Sequence, residues 1–519
     1  MLSRRSFLRL TMTLGGGVLL RPLLRSDSLP TLTAKAGGSV PDLDITLKAE
    51  VKSVQILPSG GPTTVWQYTA TRNTGSPDAL TTIPDSYLGP IIRMTRGERF
   101  RATFFNQLPG TEETSVHWHG MHVPDTMDGH PRHVIKPGET YTYEFTVLNR
   151  AGSYWFHPHP HGRTGPQVYN GLAGLFIVSD SEEQAAGLPS GAYDIPLVIQ
   201  DRTFDANNQL VYSADTDGFF GDTILVNGFP NANMNVEARS YRLRIYNGSN
   251  ARIYKIAWED GTPLTVIGSD GGLLETPLTY DYVTLGPAER VELLVNFGKW
   301  SGKTIKLRSL TFSGATPAFN NNSTLPNGAE FDIISFTVGA NPTPTPAPYN
   351  VYLPLVQRQG RLSTIERYDV NDAVNASSPR TFTLYRTRGQ WTISGRTFDL
   401  TATAPDERVQ LNTLELWEFA NVVPAGVRGI NNSAHPMHIH GPLFQVVERI
   451  PPTDATQRAN WETVKDGYVD SGWKDTILLM PGERVRLLIK FHDYTGLYLY
   501  HCHLLEHEDM GMMRNYLVQ

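Results

Sequence analysis

A single cysteine, Cys502, stands in 519 residues, so the chain can form no internal disulfide and no zinc or iron–sulfur site built on several thiolates. Charge is scarce as well. Charged residues make up 18 %, and 45 basic against 51 acidic side chains leave a net charge of −6, which offers no footprint for nucleic acid. Beyond the N-terminus no stretch approaches the roughly 20 apolar residues of a membrane-spanning helix. Methionine, 11 in all, forms no rich segment. Glycine (46) and proline (36) are abundant instead, a turn-rich composition that predicts many short strands. At about 100–200 residues per domain, the length accommodates about three domains with cores of their own.

The first residues read as an address rather than as structure. Ser3-Arg4-Arg5-Ser6-Phe7-Leu8 places paired arginines before an interrupted apolar stretch from Leu10 to Leu20, and Ala34-Lys35-Ala36 offers a small-residue cleavage site. This resembles a bacterial twin-arginine signal, so residues 1–36 are expected to be removed on export to the periplasm or beyond.

Apolar and polar residues alternate in Tyr141-Thr142-Tyr143-Glu144-Phe145, in Arg290-Val291-Glu292-Leu293 and in Arg484-Val485-Arg486-Leu487, the pattern of strands with one buried face. Each follows a similar turn: Lys136-Pro137-Gly138-Glu139, Gly286-Pro287-Ala288-Glu289 and Met480-Pro481-Gly482-Glu483. Three copies of one unit predict an all-β chain of three related domains, at 37–185, 186–340 and 380–519. A proline-rich linker over 341–379 begins with Asn341-Pro342-Thr343-Pro344. Within it, the apolar run from Val351 to Val356 has no evident role.

Ten of the 15 histidines fall into four groups: His117 and His119; His157 and His159; His435, His438 and His440; His501, His503 and His507. The first and third turn units both lead, 19 positions on, into a His-x-His element, whereas the middle copy has none, so it reads as a structural spacer. On a strand, residues i and i+2 share a face and i+1 takes the other. Each His-x-His therefore aims two imidazoles at one point, and His501-Cys502-His503 sends a thiol the opposite way. Cys502, His507, Met512 and His435 make the two-imidazole, thiolate and thioether set of a blue-copper site, with Met510 and Met513 competing for the thioether position. The other eight imidazoles suit three further copper ions held as three, three and two.

With His117-Trp118-His119-Gly120, His157-Pro158-His159, His435-Pro436-Met437-His438-Ile439-His440 and the run from His501 to Met512 in order, the sequence resembles a three-domain multicopper oxidase of the laccase class. The resemblance implies three cupredoxin-like Greek-key β-sandwich domains and four copper ions. It places type 1 copper on His435, Cys502, His507 and Met512, and type 2 copper on His117 and His438. The type 3 pair falls to His119, His157, His159, His440, His501 and His503. It further implies a monomer, electron uptake from phenols or aromatic amines at the edge of His507, dioxygen as the acceptor, and Asp128 and Glu508 as proton donors near the cluster. The alternatives are oxidation of Cu(I), Fe(II) or Mn(II), and a non-enzymatic exported scaffold. The absence of a methionine-rich segment favours organic donors over Cu(I). His122, His130, His133, His161 and His492 are left as packing or surface residues.

Overall fold

Along Leu43–Val54, Leu43, Ile45, Leu47 and Ala49 are fully buried while Asp44, Thr46, Lys48 and Glu50 lie between them half-buried on the outer face. This period of two recurs throughout and makes sheets that must cover one face. The computed structural model describes residues 40–213, 217–315, 323–340 and 361–519. The signal segment, the prolines from Pro342 to Pro348 and the run from Val351 to Val356 lie outside the described residues.

Six sheets form three pairs, each pair drawn from one third of the chain. In each third the opening strand runs parallel to a later one: Leu43–Val54 to Arg99–Gln107, Asp194–Arg202 to Ser240–Asn247, and Arg380–Thr387 to Leu414–Ala420. That later strand then pairs antiparallel with the strand following the repeated turn, Thr140–Thr146, Arg290–Asn296 or Arg484–Lys490. Parallel neighbours need a crossover, so the units are sandwiches and not meanders. An apolar core fills each sandwich, Trp118 and Phe156 in the first, Trp258 and Phe336 in the second, Trp417 and Tyr500 in the third.

The repeated turn is one structure in three places. Its glutamate accepts a hydrogen bond from the turn's first amide, Glu139 from Lys136 at 3.0 Å, Glu289 from Gly286 at 2.7 Å and Glu483 from Met480 at 2.8 Å. The third position needs a left-handed backbone, with φ of 85° at Gly138 and 81° at Gly482. The middle copy takes φ of 70° with Ala288, a conformation a Cβ disfavours.

Residues 361–379, expected as linker, are docked where described. The Leu362 amide donates to the Glu275 carbonyl at 2.6 Å, its side chain is buried with Leu188, Ile267 and Leu273, and Tyr368 packs on Trp473. Among the described residues, no helix is long and apolar enough to cross a membrane.

Candidate metal centres

Four strands bring the histidines together. His117–His119 pairs antiparallel with Gly152–His157, placing His117 opposite His157. His435–Ile439 pairs with Gly496–Cys502, placing His438 opposite His501 and Met437 opposite Cys502. Strand parity then sorts the side chains. Trp118, Met437 and Ile439 enter the sandwich cores, while His117, His119, His438 and His440 face out of them toward each other across the first and third sandwiches. Cys502 likewise enters the third core while His501 faces the cluster.

Eight imidazoles, none more than 1 % exposed, meet there. Hydrogen bonds to carbonyl and carboxylate oxygens fix which nitrogen carries the proton in six of the eight rings. His117 Nδ1 donates to the Asp128 carbonyl and His438 Nδ1 to the Asp475 carbonyl, both at 2.8 Å, so both Nε2 atoms are bare, yet they lie 3.3 Å apart. His440 Nδ1 donates to Asp128 Oδ2 at 2.7 Å and His501 Nδ1 to the Cys502 carbonyl at 3.1 Å. Their bare Nε2 atoms face each other at 3.1 Å, with His159 Nε2 3.2 Å from that of His501. His119 is turned the other way: its Nε2 donates to Asp475 Oδ1 at 3.1 Å, leaving Nδ1 3.4 Å from His157 Nε2. His157 donates through Nδ1 to the Pro158 carbonyl, and His503 Nε2 closes this group at 3.4 Å.

The rings thus divide into a pair and two trios, and in six of the eight a bare nitrogen faces a bare nitrogen of a neighbouring ring. Acceptors facing acceptors in a buried site repel unless a cation lies between them, and separations of 3.1–3.4 Å suit nitrogen ligands of one metal ion. Burial and the neighbouring imidazoles push His119, His157, His159, His438, His440 and His503 well below the usual imidazole range, which keeps the rings neutral and able to bind metal.

The second centre lies inside the third sandwich. Cys502 Sγ is 3.4 Å from His435 Nδ1 and 3.7 Å from His507 Nδ1, and the two nitrogens are 3.3 Å apart. Met512 is fully buried in the same core, whereas Met510 is only half-buried at its edge. Burial lowers His435 to about 3 and holds the Cys502 thiol well above its usual range, so a bound cation would be needed to keep a thiolate there.

The acidic residues stand behind the rings. Asp128 supports His440 and His117, and the carboxylate of Glu508 lies 3.5 Å from His159 Nδ1 and 3.2 Å from His501 Nδ1. Glu506 instead accepts from Tyr212 and Asn250, and Asp509 accepts from the Thr164 and Gly165 amides.

Three features differ from the sequence reading. His507 presents no exposed edge: it is fully buried, with the Trp391 ring 4.3 Å away and the Trp391 Nε1 donating to Asp217 at 3.1 Å. The middle sandwich is not merely a spacer, because its Arg290 grips Asp475 with both terminal nitrogens, at 2.7 and 2.6 Å. Asp475 is itself new to the site. Its only local signal is a lone carboxylate before the strand Thr476–Leu479, which no spacing rule marks.

Comparison with known proteins identifies the family. Multicopper oxidase family descriptions match residues 64–183, 194–325 and 373–519. A multicopper oxidase of Staphylococcus haemolyticus is 33 % identical over 82 % of this chain and 81 % of its own length. A laccase of Bacillus stratosphericus is 32 % identical over 84 % and 90 %. The crystal structure of the McoA multicopper oxidase of Aquifex aeolicus, 34 % identical, covers 92 % of this chain and 97 % of that one with a TM-score of 0.73. Three cupredoxin-like sandwiches and two buried histidine-rich groups that could hold metal accompany these matches, and the chain belongs to the multicopper oxidases, a copper-dependent family of oxidoreductases.

Proposed function

We propose that the protein is a laccase-like oxidase that takes single electrons from phenols and aromatic amines and reduces dioxygen to two waters. The observation that carries this reading is the sorting of eight buried imidazoles into groups of two, three and three whose nitrogens converge, one strand step from Cys502. In this reading His435, Cys502, His507 and Met512 hold a type 1 copper, and His117 and His438 a type 2 copper. His119, His157 and His503 hold one type 3 copper, and His159, His440 and His501 the other. Such copper, when bound, stores electrons received singly and passes four of them to dioxygen.

The chain's own residues set the conditions. Hydrogen bonds to Asp128, Asp475 and the backbone hold the ring tautomers so that the free nitrogens converge. Glu508, buried against His159 and His501, and Asp128, against His440, are placed to hand protons toward the same space. His501-Cys502-His503 connects the two centres through consecutive backbone units. Export by the twin-arginine route, the boundaries 37–185, 186–340 and 380–519, and a monomeric state belong to the same reading.

Oxidation of a metal ion such as Cu(I), Fe(II) or Mn(II) is the alternative reading. Oxygen uptake by the copper-loaded protein with 2,6-dimethoxyphenol, Cu(I), Fe(II) and Mn(II) at matched concentrations separates the two. Faster uptake with the phenol is expected. Faster uptake with one metal ion would reassign the donor, and a colourless protein without uptake would overturn the copper assignment.

A further inference from the structure

Two of the five histidines left outside the copper groups meet across the boundary between the first and third sandwiches. His122 Nε2 lies 3.1 Å from Asp493 Oδ2, His492 Nδ1 lies 2.5 Å from the same oxygen, and the two rings are 4.6 Å apart. Three donor atoms of the kinds that bind transition metals thus converge from segments 371 positions apart in the chain. We propose that His122, His492 and Asp493 form a separate site for a divalent transition-metal cation of the zinc, nickel or cupric kind, which clamps the two sandwiches beside the buried cluster.

The site is held in place on one side and open on the other. The His122 amide donates to Asn149 Oδ1 at 2.8 Å, and Asn149 Nδ2 donates to the Gly120 carbonyl at 2.9 Å, so the segment carrying His122 is pinned. The side chain of His122 is 11 % exposed, whereas those of His492 and Asp493 are 39 % and 49 % exposed. They line a cleft of about 480 Å³ that has room for water to complete a coordination shell. Its charged walls are Asp493, Glu182 and Glu366 against Arg96 and Arg150, an excess of carboxylate that favours a cation. Calcium and magnesium prefer six or more oxygens and would gain little from two imidazoles.

Coordination requires no net loss of protons. Asp493 now accepts from one N–H of each ring, and each proton can move to the ring's other nitrogen while the vacated one turns to the metal. Because His122 follows His119 by three residues, a metal here would fix the spacing of the loop that carries His117 and His119 relative to the third sandwich.

The test uses protein loaded with copper at the ten histidines of the buried centres and then freed of loosely held copper by a chelator, dialysed against buffered micromolar Zn²⁺, with metals counted by mass spectrometry. The wild-type chain should take up one zinc that His492→Ala and Asp493→Asn bind at least about tenfold more weakly. Asn at 493 tolerates the left-handed backbone there, φ of 63°, and His492 is exposed, so neither change disturbs the core. Zinc should also raise the thermal midpoint of the wild type and not that of the variants. No zinc uptake by the wild type, or equal uptake by all three proteins, overturns the proposal.

Discussion

Arg290 and Asp475 face each other end to end, both guanidinium Nη atoms on both carboxylate oxygens, with neither side chain more than 1 % exposed. The same carboxylate accepts from His119 Nε2, so an arginine of the middle sandwich sets which nitrogen of a cluster histidine stays bare. Arg290 Nε also donates to the Ser153 carbonyl of the first sandwich at 2.9 Å. All three sandwiches therefore meet at one guanidinium.

Breaking that contact should be costly. Arg290→Met leaves Asp475 as a buried carboxylate near Asp270 and without its bidentate partner, and a loss of about 3–5 kcal/mol is expected. Arg290→Lys keeps the charge but not the fork, and should lose less stability while still loosening His119. Denaturant midpoints measure the first effect and the copper retained per chain measures the second. Full copper content in both variants would show that His119 does not depend on this arm.

Cys502→Ser tests the separation of the two centres. Oxygen is a poor substitute for a thiolate on copper, so the variant should lose its blue absorption and one copper ion per chain. The imidazole cluster, on the opposite strand face, should keep its metal. Metal counting with absorption spectra checks both halves, and loss of all copper would mean the centres do not bind independently.

Trp391 covers His507, and its removal should change which donors react. Trp391→Ala empties a large buried volume and is expected to cost about 3–5 kcal/mol, whereas Trp391→Phe keeps an aromatic wall while deleting the hydrogen bond to Asp217. If Trp391 limits access, the alanine variant should gain kcat/KM for bulky phenols relative to small ones, and the phenylalanine variant should not. A uniform fall across donors would instead indicate lost packing.

The copper-free protein should weaken in mild acid. His435 is lowered to about 3 in the fold from an unfolded value of 6.5, so the unfolded chain binds the extra proton. Its contribution is fully present above pH 6.5 and declines as pH falls toward 3, by about 2 kcal/mol between pH 7 and pH 5. The lowered cluster histidines act in the same direction. Glu506 and Asp509, raised by burial, oppose it, because their contribution is present at low pH and lost as pH rises. Comparing wild type with His435→Gln at both pH values isolates the one residue: the variant should lose less stability on acidification, and an identical loss would sink the assignment.

The repeated turns, the His-x-His pairs and the opposed Cys502 were legible because each is a local pattern: a turn closed by its own glutamate, or a parity that follows from a period of two. Burial separates Met512 from the half-buried Met510 but not from Met513, which is equally enclosed. Asp475, Arg290 and Trp391 were not legible, since nothing near them in sequence distinguishes them from other buried charges and aromatics.

Local chemistry along the chain thus settled the all-β class, the threefold repeat and the inventory of candidate metal-binding side chains. The partner of each imidazole, the closed cover over His507 and the reach of the middle sandwich into the cluster were decided by packing. These contacts join residues such as Arg290 and Asp475, 185 positions apart, and a periodic pattern carries no information about which distant strand its face will meet.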